Sequence, residues 1–453
     1  MPTLHTTKNM NNFQTINGHN GNGHEPILPK KFLFVSWEAL SGDLAWQIKN
    51  EGHEVRVCVQ AEYDKDVYEG FLEKIDDYKQ HIDWADVVVF DDVGFGEEAD
   101  ELRKKGKLVV GGSEYTDRLE KDREFGQAEM KRVGMLTLPH WDFSNYDLVL
   151  KFIEENPGRY VFKPSEFIGS SSKGLLFLGK DEDGKDLHDI IKSNKKVLEK
   201  KVKNFQLQKF AQGVEVAVGA FFNGKDFIYP ININFEHKKL FPGDIGPYTG
   251  EMGTLMYWSG PNTIFRTTLE KMKEDIKKSG YVGYIDINCI ANARGIYPLE
   301  FTARFGYPTI SIQMEGITNQ WGDFLYKIAS GENYELKTKK GFQIGICCAV
   351  PPFPYYDKEE MDIYRDLSII FKKPSMDGIR FGDLKCVEGR WTIAGESGYV
   401  LVVTGSGVTV EDARKQTYGR VENVLLQNMF YRTDIGLGWY EDSDKLQTWG
   451  YLY

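Results

Sequence analysis

Cysteine is scarce: five residues, Cys58, Cys289, Cys347, Cys348 and Cys386, are spread through a chain of 453. Their odd number and their setting in apolar, strand-like runs exclude a disulfide frame and a zinc site, and read as reduced core thiols of a cytoplasmic protein. Long apolar runs are missing too. No stretch approaches the span of a membrane helix, and the first thirty or so residues, rich in Asn, Thr, Gly and His, lack the apolar core and cleavage pattern of a signal peptide. There is no excess of positive charge. With 56 basic against 67 acidic residues, the net charge of -11 argues against a generic nucleic-acid or anionic-membrane surface and does not exclude a local phosphate site. No Gly-x-Ser-x-Gly occurs and the eight histidines show no metal spacing, so serine-nucleophile and zinc-hydrolase chemistry have no support.

What is present begins with length: 453 residues are too many for one core and predict about three domains after a disordered tail, Met1 to Lys30. Strand-like runs at Lys31–Val35, Glu54–Val59, Ala85–Phe90 and Lys107–Val110 alternate with helical ones, which predicts a parallel sheet with helices on its faces. Such sheets bind ligands beyond the carboxyl ends of their strands. The first turn there, Ser36 to Asp43, carries one glycine and two acids and is a poor phosphate cradle. Asp117 to Val133 reads as one charged helix, and Asn145 caps the next, Tyr146 to Glu155.

The chemistry gathers further on. Gly283 to Pro308 reads as a β-hairpin with Asp286 on its first strand and Glu300 on its second, two carboxylates able to be cross-strand neighbours on one face. A hard cation, Mg2+ (or Mn2+), shared with phosphate oxygens would relieve their repulsion. Lys163 ends a strand, and the small-residue loop Ser165 to Gly174 closes on Lys173, a composition able to fold over a polyphosphate. The strand Phe205 to Phe210, with Gln208, Lys209 and Phe210 at its end, runs through Gly213 to Glu215; its backbone suits a base and Glu215 suits ribose hydroxyls. Beyond Gly341, strands at Phe342–Val350, Trp391–Ala394 and Tyr399–Val403 and a helix over Val410–Asn428 make a small β-rich domain.

At Phe235 to Gly253 the chain reads FEHKKLFPGDIGPYTGEMG, which resembles the glycinamide ribonucleotide synthetase (phosphoribosylamine-glycine ligase) family in Glu236-His237-Lys238-Lys239 and in the Gly-Asp-x-Gly-Pro-x-Thr-Gly run from Gly243, with Glu251 in place of a glycine. Glu300-Phe301, Arg304-Phe305-Gly306 and Pro308, and Tyr431 to Gly436 near the end, are similar to further motifs of that family. The resemblance implies an ATP-grasp fold, α/β and α+β: a Rossmann-like domain over residues 31–115, an ATP-grasp domain over 116–335 and a β-rich domain over 336–453. It implies an ATP-dependent carboxylate-amine ligase working through an acyl phosphate, in purine biosynthesis. The expected partners are small-molecule substrates, an amino acid and an amine, and the expected state is a monomer or homodimer. ATP would meet Arg123, Lys163, Lys173, Gln208, Lys209, Phe210, Glu215 and Lys238; Asp286, Glu300 and Thr302 would hold Mg2+; Arg304, Lys173 and Asp244 would be catalytic. Thr302 stands where the family has a metal-ligating Asn, Tyr307 where it has Asp, and Arg123 where it has Lys. Ser36–Asp43 and Asp91–Gly96 replace the turns of the family's phosphoribosylamine pocket, and acids there would repel a phosphate. A ligase of the same family for another amine or amino acid, and a non-catalytic ATP-binding module, are the competing readings.

Overall fold

The computed structural model describes residues 28–164 and 175–453, so most of the expected tail, the loop Ser165 to Gly174 and Lys173 lie outside the described residues. Near the N-terminus, β1 (Lys31–Ser36), β2 (Glu54–Val59), β3 (Glu73–Lys74), β4 (Val87–Phe90) and β5 (Leu108–Val110) form the expected parallel sheet in the order β3-β2-β1-β4-β5. Leu33, Val35, Cys58, Val88 and Phe90 are buried on one face; Phe32, Phe34, Val57 and Val89 are buried on the other. Burial on both faces explains why these strands read as continuous apolar runs.

The charged stretch expected as one helix is two, Glu114–Lys121 and Arg123–Arg132, broken at Asp122. Asp122 is extended and its carboxylate accepts from the Phe125 amide, so it starts a new helix instead of continuing the old one. Asn145 caps Tyr146–Glu155 as expected, accepting from the amides of Asp147 and Leu148. That helix and Lys185–Lys201 pack on a four-stranded antiparallel sheet, β6 (His140–Phe143), β9 (Phe205–Lys209), β7 (Tyr160–Pro164) and β8 (Phe177–Leu178), through Phe162, Phe205, Leu207 and Ile191.

The largest element is an eight-stranded antiparallel sheet: β16 (Gly295–Thr302), β15 (Val282–Asn292), β10 (Val214–Asn223), β11 (Phe227–Glu236), β14 (Gly253–Ser259), β17 (Phe342–Ala349), β22 (Tyr399–Gly407) and β19 (Ile379–Phe381), in that spatial order. Strands β14 and β17 pair directly, Gly253 with Ile346 and Leu255 with Ile344, so one sheet runs across residue 336. Three short pairs complete the chain: β12 (Lys239–Phe241) with β13 (Ile245–Tyr248), β18 (Ile370–Phe371) with β23 (Val424–Leu425), and β20 (Leu384–Val387) with β21 (Arg390–Ile393). The helix that starts at Val410 ends at Val421 and not at Asn428, because Asn423 bonds Lys373 and the following residues are drawn into the β18–β23 pair.

Candidate functional site

The hairpin forms as expected, with Asn292 opposite Gly295 across a two-residue turn. Its register puts Asp286 opposite Thr302 and Asn288 opposite Glu300. All four side chains share one face, so the two carboxylates lie on a diagonal and not directly across from each other. Asp286 and Asn288 are buried, whereas the Glu300 side chain is 57% exposed. The Asn288 amide donates to Glu236 Oε2 at 2.8 Å, yet its carbonyl oxygen is buried with no partner among the described residues, and so is Asp286 Oδ1. Two buried oxygens without donors, beside the more exposed Glu300 carboxylate that Lys238 approaches at 3.7 Å, form an acceptor set for a hard cation. Among the described residues no three His, Cys, Asp or Glu side chains converge tightly enough to hold a metal alone, so the Asn288 carbonyl and a ligand's own oxygens would complete the shell.

Cations surround this face. Lys238, just past β11, lies 2.9 Å from Glu215, 3.5 Å from Glu236 and 3.7 Å from Glu300. Lys163, at the end of β7, is pushed down to about 8 by burial first and by Arg123 next, with Glu300 opposing. Arg123 donates to the Pro164 carbonyl at 3.4 Å, and burial lowers it while Glu300 raises it. Arg304 pairs with Glu120 at 3.1 Å and lies 4.0 Å from Asp92. Its guanidinium is held above the usual arginine range: burial opposes, but Glu120 and Asp92 prevail. Thus Arg123, Lys163, Glu215, Lys238, Asp286, Glu300, Thr302 and Arg304 come together from segments far apart in sequence.

Other expected residues stand apart from this face. The Asp244 carboxylate is paired at 2.8 Å with the buried Arg432, which also holds Asp434 at 2.6 Å. The amides of Lys209 and Phe210 already donate to Pro139 and Arg159 carbonyls at 2.8 and 2.9 Å. The Lys209 ammonium sits over the Tyr160 ring, 4.7 Å from its centroid, and the Arg159 guanidinium over Phe210 at 3.5 Å. Arg159, Lys209 and Phe210 line a cavity of about 870 Å3 with Gly213, Asn292 and Tyr297, a lining that omits Lys163 and Glu300. Gln208 is buried in β9, between His140 of β6 and Val161 of β7.

Sequence reasoning missed Asn288, Glu236 and Glu251 as members of the cluster. Asn288 was accessible from period-two alternation, two residues beyond Asp286. Glu251 is buried, accepts from the Thr254 hydroxyl, and is pushed far above the carboxylate range by burial and then by Glu236. Two acids beyond the strand ends point inward: Asp43, closing the turn after β1, accepts from Ser311 Oγ at 2.7 Å, and Asp91, just after β4, accepts from Ser41 Oγ at 2.6 Å and its amide at 3.1 Å. Burial pushes Asp91 up to about 7. Tyr307 is packed on the Tyr399 ring, centroids 4.6 Å apart.

Residues 121–310 match the family described as phosphoribosylglycinamide synthetase, ATP-grasp (A) domain. The chain is 25% identical over 346 residues to phosphoribosylamine–glycine ligase of Streptococcus pneumoniae, covering 74% of this chain and 80% of that protein. It is 24% identical over 349 residues to the ligase of the same name from Clostridium acetobutylicum, with 74% and 80% covered. Among solved structures, phosphoribosylamine–glycine ligase of Thermotoga maritima superposes with a TM-score of 0.67 at 22% identity, covering 90% of this chain and 100% of that one. A biotin carboxylase–β,γ-ATP complex from Campylobacter jejuni gives 0.61 at 14% identity, with 94% and 98% covered. Both place the fold in the ATP-grasp class.

Proposed function

We propose that this chain is a divergent member of the phosphoribosylglycinamide synthetase family, whose ATP-grasp domain matches residues 121–310, and that it is an ATP-dependent ligase joining a carboxylate to an amine. The reading follows its relatives, named for the ligation of glycine to phosphoribosylamine in purine biosynthesis. The observation that carries it is the convergence of Arg123, Lys163, Lys238 and Arg304 on the hairpin face of Asp286, Asn288 and Glu300.

A carboxylate is a poor acylating agent because its leaving group would be oxide. Its oxygen attacks the terminal phosphorus of ATP, ADP departs, and the resulting acyl phosphate is attacked by the amine nitrogen, which sheds a proton as phosphate leaves. No side-chain nucleophile is needed, only positioning and charge. Lys163 and Arg123, on the nucleotide side, offset the polyphosphate charge. Arg304, kept charged by Glu120 and Asp92, faces the carboxylate end. Lys238 holds Glu215, Glu236 and Glu300 together, and moving its charge toward a phosphate would free Glu300. Asp286, Asn288 and Glu300 would hold Mg2+, which when bound screens the phosphate oxygens. The Thr302 side chain has no carbonyl oxygen, and that of Asn288, opposite Glu300, would supply one to the metal.

The test is ADP release from the purified protein with Mg-ATP, glycine and freshly generated phosphoribosylamine, beside a panel of other amino acids and amines. Glu300→Gln lowers kcat about 100-fold or more without lowering Tm if Glu300 holds the metal; unchanged turnover would refute the role. Nucleotide-dependent stabilisation with no ADP release from any pair would identify a binding module. A second reading, ligation to an amine other than phosphoribosylamine, is favoured by the acids beyond the carboxyl ends of β1 and β2.

A further inference from the structure

The cavity of about 870 Å3 that Arg159 and Lys209 line takes no part in the ligase reading. It lies where residues 210–213 carry the chain from β9 to β10, that is, from the four-stranded sheet to the eight-stranded one. Three further walls close on that connection. Arg159, just before β7, comes from the four-stranded sheet, and Asn292 and Arg294, at the β15–β16 turn, come from the eight-stranded sheet. Lys445 and Trp449 come from the helix Trp439–Thr448 and the residue after it. Hydrogen bonds tie these walls together: the Asn292 side-chain amide donates to the Gln212 carbonyl at 2.9 Å, and the Tyr451 hydroxyl to the Asn292 carbonyl at 2.8 Å. The volume falls within the roughly 300–1,000 Å3 of small-molecule sites.

The charge of the lining runs against that of the whole chain. Four cations, Arg159, Lys209, Arg294 and Lys445, face one carboxylate, Glu182, in a protein of net charge -11. Arg159 lies 3.9 Å from Glu182, donates from Nε to the Gly179 carbonyl at 2.6 Å and covers the Phe210 ring. Lys445 pairs at 2.6 Å with Glu441, a residue of its own helix outside the lining. Among the described residues no carboxylate pairs with the Lys209 ammonium or the Arg294 guanidinium. Lys209 sits over the Tyr160 ring, and a Cβ on Gly158 would collide with its ammonium, so the glycine leaves that cation its place.

A surplus of positive charge in a concave site is balanced by an anion, and a phosphate takes several such donors at once. Tyr297 and Trp449, both half-buried, add aromatic surface that suits a flat ring. Lys163, Lys238, Asp286 and Glu300 do not line this cavity, so a molecule held in it leaves the reaction centre untouched. We propose that the cavity is a second ligand site, separate from the reaction centre, for a phosphorylated small molecule that carries a flat ring and is about the size of a nucleoside monophosphate. An occupant in contact with both Arg159 and Arg294 spans the two sheets. The inference does not rest on the ligase reading.

The experiment uses the full chain and uridine 5′-monophosphate as probe, a phosphate on a ring unlike that of ATP, with uridine as the uncharged control. Binding is measured by titration calorimetry. The monophosphate is expected to bind at least about tenfold more tightly than uridine. Arg294→Glu/Lys445→Glu, two changes at the surface, is expected to weaken it about tenfold or more and to leave the Kd for Mg-ATP unchanged. Lys163→Met, on the reaction-centre side, is expected to do the reverse, weakening Mg-ATP and sparing the monophosphate. If the double variant does not fold, Arg294→Ala, expected to weaken the monophosphate several-fold, takes its place. No binding of the monophosphate, uridine binding as tightly, or a variant that weakens both nucleotides together overturns the inference. The expected pair of opposite losses, with no ADP release from any amino acid and amine, supports the second site and refutes the ligase reading.

Discussion

A lysine pushed down to about 8 changes charge in the range where most enzymes are assayed, and Lys163 is such a residue. Burial is the main cause and Arg123 the next. Because the folded-state value lies below that of an unfolded lysine, the charged form is disfavoured on folding. Stability conferred by the neutral form is present above the unfolded value near 10.4 and falls as pH drops toward 8, below which the penalty is constant. A bound polyphosphate restores the charge. The dissociation constant for Mg-ATP, measured calorimetrically, is therefore expected to rise toward tenfold per pH unit above about 8, one proton being required. Lys163→Arg should flatten that profile, since a guanidinium stays charged throughout; a wild-type profile flat to pH 9.5 would refute the assignment.

Elements show most clearly what the sequence could and could not reveal. The hairpin of β15 and β16 was legible because Asp286 and Glu300 interrupt apolar alternation on either side of a turn. Their diagonal placement was not legible, since register depends on the turn and on the bulge after Asn288. The split at Asp122 was hidden because a residue of modest helix propensity reads the same inside a charged helix as at a cap. Asp244 shows a contact that its motif does not reveal: it is paired with Arg432, 188 positions away in sequence. Buried Arg432 also donates to the Lys239 carbonyl at 2.9 Å and so fastens the β12–β13 hairpin to the chain end. Arg432→Met leaves the Lys239 carbonyl without its donor and Asp434 with the Gly243 amide alone, and is expected to cost about 3 kcal/mol in a urea titration.

For the molecule as a whole, the single sheet from β16 to β19 matters more than the division of the chain into segments. Apolar alternation gives a β-rich stretch beyond Gly341, and strand pairing is non-local, so nothing in Phe342–Ala349 says that its partner is Gly253–Ser259. A chain ending at residue 335 would expose Leu255 and the open edge of β14. It is expected to be insoluble or protease-sensitive where the full chain is not, judged by limited proteolysis at equal concentration.

The same pairing imposes an order in time. On the ribosome, Gly253–Ser259 emerges and can join β11 well before Phe342–Ala349 has been made. Throughout that interval the middle of the future sheet is a waiting edge, able to accept any passing strand, including one from a neighbouring nascent chain. Whatever slows translation between those two strands lengthens the exposure, so synonymous codon choice over residues 260–341 bears on soluble yield although it changes no side chain.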